Sequence, residues 1–140
     1  ADAPVAPISI PASLRVVPPL STKVIAARRE IVFAQGMINN RTMDMKRVDV
    51  RGRIGTTEIW QVENVVGMDH PFHLHGFQFQ VLDRAGVPEP YVSWKDSVNV
   101  PKHSKLRIVV RFEDHPGKWM YHCHILDHED MGMMGILLVR

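Results

Sequence analysis

A thiol, an imidazole and a thioether stand at regular intervals near the end of this sequence: Cys123, His128 and Met133, in a C-x4-H-x4-M spacing. One short stretch thus offers a thiolate, a neutral ring nitrogen and a weak sulfur donor, the soft ligand set of a blue-copper electron-transfer centre. A second stretch, His70-Pro71-Phe72-His73-Leu74-His75-Gly76, supplies further imidazoles, and with His122 and His124 beside the cysteine these two places hold six of the eight histidines.

Side-chain alternation sorts these residues into two groups. In a strand from Met120 to His124, His122 and His124 point to one face and Cys123 to the other. In a strand from Phe72 to Val81, His73 and His75 share a face, whereas His70, just before it and held extended by Pro71, turns the opposite way because its offset from His73 is odd. One group is then His70, Cys123, His128 and Met133; the other is His73, His75, His122 and His124. Because Cys123 is peptide-bonded to a histidine on each side, a metal at the first group is covalently wired to the second, which suits moving electrons singly.

Blander readings compete. A lone cysteine is most often a small buried hydrophobe, and zinc is the rival metal for any His/Cys set. The thioether and the coupling of two sites favour copper. Two His-x-His pairs are harder to dismiss as ordinary polar residues than one. His103 and His115 fall in turns and read as surface residues, and the scattered Met37, Met43, Met45, Met68 and Met131 read as core or chance exposure. Among them Met68 stands out, two residues before His70, as a soft entry path for cuprous ion.

The elements that must position these groups are short strands. Glu30–Ala34 reads as a strand, Gly36 to Asp49 as a hairpin turning at Asn39-Asn40, and Thr57–Val65 as the clearest alternating strand. Gly76 to Leu82 continues the histidine strand. Ser97–Val100, Lys105–Phe112, Lys118–Tyr121 and Met134–Val139 follow, with a single helical turn expected in the Leu126 to Gly132 loop. Many short strands between turn signals, without a long helix, predict an all-β Greek-key β-sandwich. Residues 1–20 carry five of the ten prolines, so 1–27 read as a linker or surface arm and 28–140 as the domain.

With 140 residues there is room for one core. A formal charge of +2 is too slight to argue for nucleic acid or a membrane surface, and the single cysteine excludes an internal disulfide. No stretch is long and apolar enough to span a bilayer as a helix, and no signal peptide opens the chain. It begins Ala1-Asp2-Ala3-Pro4, as a processed or excised polypeptide would.

The paired motifs, His70-Pro71-Phe72-His73-Leu74-His75-Gly76 and His122-Cys123-His124 with His128 and Met133, resemble the C-terminal cupredoxin domain of a multicopper oxidase of the bacterial laccase and cuprous-oxidase kind, from about Ile31 onward. The resemblance implies a cupredoxin-like sandwich, a type 1 copper at His70, Cys123, His128 and Met133, a type 2 ligand in His73, and type 3 ligands in His75, His122 and His124. It implies oxidation of a small reducing substrate, phenolic or a metal ion, with electrons passing through Cys123 to a trinuclear copper cluster that reduces dioxygen to water. Glu129 would relay protons there. Half of that cluster comes from a different domain in the family, so the resemblance calls for a homo-oligomer pooling two half-sites or for other domains of a parent oxidase. The alternative is an isolated electron-transfer or copper-binding cupredoxin without oxidase turnover. The family also implies a periplasmic or secreted location.

Overall fold

The computed structural model describes residues 9–12 and 15–140. Two mixed sheets face each other as a cupredoxin-type Greek-key sandwich. One contains β1 (Ala27–Ala34), β2 (Met37–Ile38), β4 (Thr57–Asn64), β6 (Phe79–Arg84), β7 (Val87–Pro88) and β9 (Ser104–Arg111), in the order β2-β1-β4-β9-β6-β7. The other contains β3 (Val50–Gly52), β5 (His70–Leu74), β8 (Ser97–Val100), β10 (Gly117–Cys123) and β11 (Met134–Val139), in the order β3-β11-β10-β5-β8. The one helix among the described residues is the turn α1 (Leu126–Asp130), where the sequence places it.

Trp60, Tyr121, Phe33, Phe72, Phe79 and Phe112 are fully buried between the sheets. Trp60 meets the Tyr121 ring edge-on at 5.6 Å, the geometry that the ring quadrupoles prefer. The indole N–H of Trp60 donates to the buried Glu58 carboxylate (2.9 Å), which also pairs with Arg29, so the one charge in this part of the core is compensated.

Two expectations need correction. The histidine strand does not run on to Leu82: β5 ends at Leu74 in one sheet, and β6 starts at Phe79 in the other. Between them Gly76 takes φ +76, and its missing Cβ leaves room for the Trp119 ring. Apolar alternation persists across this crossing, since both strands feed the same core, so it hid the break. Nor is Gly36 to Asp49 a hairpin. The chain reverses at Gln35-Gly36 so that β2 pairs with β1; Asn39 and Asn40, both at positive φ, close only the small Ile38–Arg41 bridge. Val50–Gly52 then joins the second sheet, parallel to β11.

Of the amino-terminal segment, Pro18 and Leu20 lie on the sandwich: Leu20 N–H donates to Gln80 Oε1 (2.8 Å) and Gln80 Nε2 donates to the Pro18 carbonyl (2.9 Å). The prolines at positions 4 and 7 lie outside the described residues.

Candidate metal centre

Strand β5 turns His70, Phe72 and Leu74 inward and leaves Pro71 and His73 on the other face. Its neighbour β10 pairs Cys123 with Phe72 and His122 with His73, so the thiol joins His70 on the core side while His122 joins His73. The helical turn α1 carries His128 back over Cys123. Its loop is closed by its own backbone: His128 N–H donates to the Ile125 carbonyl (2.9 Å), Met133 N–H to that of His128 (2.9 Å), and Cys123 N–H to that of Met133 (3.2 Å). Ligand atoms of His70, Cys123 and His128 lie within 4.8 Å of one another, with Nδ1 of His128 3.5 Å from Sγ. The Met133 side chain is wholly buried in the same core.

Burial is the leading cause of the electrostatics here. It lowers the pKa of His70 below the ordinary imidazole value, with the His128 charge adding to the effect, and it raises that of the Cys123 thiol. Both imidazole and thiol are therefore held neutral without metal. An incoming cation must displace the thiol proton, after which it meets a neutral nitrogen donor and a thiolate in a water-poor pocket. A buried, unpaired cysteine facing two imidazoles, its backbone hydrogen-bonded to a buried methionine, fits a soft, low-coordinate copper ion.

On the opposite face of the same strands, ligand atoms of His73, His75 and His122 also lie within 4.8 Å of one another, and Nε2 of His75 is 2.8 Å from Nε2 of His122. His124 stands at the rim, its ring 5.3 Å from that of His73 and 5.4 Å from that of His122, with 58% of its side chain exposed. Burial, followed by the neighbouring His73 and His122 charges, lowers the pKa of His75; burial likewise leads the lowering of His122. The outer nitrogens are engaged. Nδ1 of His73 lies 2.8 Å from Ser97 Oγ and 2.9 Å from the Asp96 carbonyl, and Nδ1 of His122 lies 3.0 Å from the Cys123 carbonyl. Contacts of this kind fix which ring nitrogen faces the metal. Oε1 of Glu129 is buried 2.8 Å from Nδ1 of His122, yet no hydrogen bond of proper geometry reaches it among the described residues.

Sequence reasoning missed Asp96 and Ser97, which reach His73 only through the pairing of β5 with β8. No local spacing carries that signal. His103 and His115 stay outside both groups, in exposed turns.

The sequence profile described as multicopper oxidase matches residues 15–140. The chain belongs to the multicopper oxidase family. A multicopper oxidase of Staphylococcus haemolyticus is 42% identical over 108 residues, covering 73% of this chain and 24% of that protein. A laccase of Bacillus subtilis is 37% identical over 102 residues, or 59% of this chain and 20% of the laccase. Among solved structures, a multicopper oxidase of Pediococcus acidilactici superposes with a TM-score of 0.85 at 36% identity over 96% of this chain and 30% of its own. A Campylobacter jejuni multicopper oxidase described as a metallo-oxidase gives 0.82 at 31% identity, covering 96% and 34%. This multicopper oxidase domain therefore spans between a fifth and about a third of each of these four relatives, and copper is the cofactor that its family uses.

Proposed function

We propose that this domain takes one electron at a time from a small reducing substrate at a type 1 copper held by His70, Cys123, His128 and Met133, and passes it to a trinuclear copper cluster that reduces dioxygen. One observation carries the reading: two ligand groups sit back to back on β5 and β10, joined through the consecutive residues His122, Cys123 and His124. Bound copper would supply reversible one-electron redox chemistry. The chain's own residues do the rest. The closed Cys123–Met133 loop keeps thiolate, imidazole and thioether in place, and the apolar core around them excludes water, which limits reorganisation.

His70 and Cys123 are buried, whereas His128 is half-exposed, so the His128 edge is the place where a donor can reach the site. A shallow hollow of about 460 Å³ lies there, lined by His128, His70, Val66, Gly67, Met68 and Met131 among others, with no charged side chain in its wall. Its apolar surface and two exposed thioethers suit a phenolic donor or cuprous ion. On the opposite face, Glu129 accepts a proton at Oε1 and hands it to the side on which His122 and His124 lie.

His73, His75, His122 and His124 are too few to hold three coppers, and the hollow beside His73, His75 and Asp96 opens outward. The complementary half-site comes from another domain of a longer chain or from a second copy of this one; sedimentation of the copper-loaded chain separates these. We also read residues 1–27 as a linker or arm from a neighbouring domain, of which Pro18 and Leu20 are held against the sandwich by Gln80, and the protein as periplasmic or secreted on family grounds alone.

Visible and paramagnetic-resonance spectra of the copper-loaded chain test the central reading. The wild type should show an intense thiolate-to-copper absorption, and Cys123→Ser should abolish it while copper at the other histidines persists. The same band surviving in the serine variant would end the proposal.

A further inference from the structure

Three of the four candidate type 1 ligands secure one another, since Cys123, His128 and Met133 share the loop closed by its own backbone hydrogen bonds. His70 arrives from a different segment. It opens β5 directly after residues 65–69, which cross from the end of β4 in one sheet to the other sheet. The carbonyl oxygen of Met68 sits 3.0 Å from Nδ1 of His70, so the orientation of the ring depends on what holds that carbonyl.

Asn64 holds it. The last residue of β4, only 1% exposed, donates from Nδ2 both to the Met68 carbonyl (2.8 Å) and to the Val100 carbonyl (3.0 Å). Its Oδ1 accepts from Val66 N–H (3.2 Å). Val100 is the cross-strand partner of His70. A single buried amide thus grips the crossing loop at two points and the strand beside His70 at a third. Only a side chain with donor and acceptor at this reach can do so; a carboxylate cannot donate, and a hydroxyl is too short to span both carbonyls.

We propose that Asn64 is the positioning residue of the type 1 site, fixing the His70 imidazole through the Met68 carbonyl. The assignment rests on the copper reading above. Partners that orient a ligating histidine typically contribute 10–100-fold in metal affinity, and acting through a backbone oxygen should place Asn64 near the lower figure. A purely architectural rivet between the sheets would change folding and leave the metal unaffected.

Gln80 provides the control. It is also buried and also grips backbone with both ends of its amide, but at Pro18 and Leu20, outside either histidine group. We would titrate wild type, Asn64→Ser, Asn64→Asp and Gln80→Ala with copper alone against a chromophoric chelator, and record absorption, paramagnetic resonance and melting temperature. Both Asn64 variants break the double grip, Asp by lacking a donor and Ser by falling short of the two carbonyls, so either one that folds decides the matter, and bound copper favours folding. The expected result is copper binding weaker by about tenfold or more with an altered copper hyperfine splitting. In Gln80→Ala the melting temperature should fall while affinity stays within about twofold, as expected for a distant site. Wild-type affinity and spectrum in a folded Asn64 variant would overturn this assignment alone. Absence of the thiolate band from the wild type would overturn the copper reading along with it.

Discussion

A carboxylate oxygen buried without a hydrogen bond costs at least 1–3 kcal/mol, more for a charged group, and Oε1 of Glu129 is such an atom among the described residues. Its neighbour, Nδ1 of His122, lies 2.8 Å away but makes its hydrogen bond with the Cys123 carbonyl instead. The same carboxylate oxygen also lies 3.7 Å from Nδ1 of His124, so a proton carried on it would stand beside both imidazoles of the outward group. Glu129→Gln keeps the shape and removes the transferable proton. If the proposed function holds and the complementary half-site is supplied, dioxygen consumption should fall by about 10²-fold or more, with the thiolate-to-copper band unchanged. Turnover within about threefold of wild type, measured with an oxygen electrode, would remove Glu129 from proton transfer. At this scale the grouping of the histidines and the cysteine was legible: His70, Cys123 and His128 come together, as do His73, His75 and His122 with His124 at the rim, because ligand spacing and the two-residue strand period are local properties. Asn64 and Ser97 were not legible, since each acts on a histidine through contacts that exist only after the sheets have formed.

At the scale of elements, the sheet switch at Gly76 decides where the outward histidines end up. Trp119, on β10, covers the glycine closely enough to collide with any Cβ placed there, and φ +76 adds a backbone penalty for every other residue. Gly76→Ala should therefore cost about 2–4 kcal/mol, one part from left-handed strain and the rest from overpacking. Urea denaturation of the metal-free protein checks this, and a loss below about 1 kcal/mol would show that Trp119 simply moves aside. The strands themselves could be read from alternation and turn residues. Their assignment to sheets could not, because Phe72 and Leu74 before the switch and Phe79 and Val81 after it all enter one core. The hairpin expected over Gly36 to Asp49 failed for a related reason: Asn39-Asn40 does form a tight turn, but the segment beyond it finds its partner in β11, at the far end of the chain.

For the molecule as a whole, the two histidine groups and the cysteine make stability without metal depend on pH from both sides. Burial holds the pKa values of His70, His75 and His122 below the ordinary 6.5, so as pH falls through that value the unfolded chain takes up protons that the folded one refuses. Stability is then lost on acidification, from about pH 6.5 down to the folded values. Cys123 acts in the opposite direction. Burial raises its pKa above the ordinary 9.0, so the unfolded thiol ionises first and stability declines as pH rises through that region. The metal-free protein should therefore have its highest urea midpoint between these limits, with lower midpoints at pH 5 and at pH 9.5. Cys123→Ser removes the thiol and should flatten the alkaline limb while leaving the acid limb in place. Copper reverses the cysteine contribution, because the ion binds the thiolate and releases the proton that burial had retained. The loaded protein should gain most over the metal-free one on the alkaline side, and equal midpoints for the two forms at pH 9.5 would mean that the thiol is not part of the copper site.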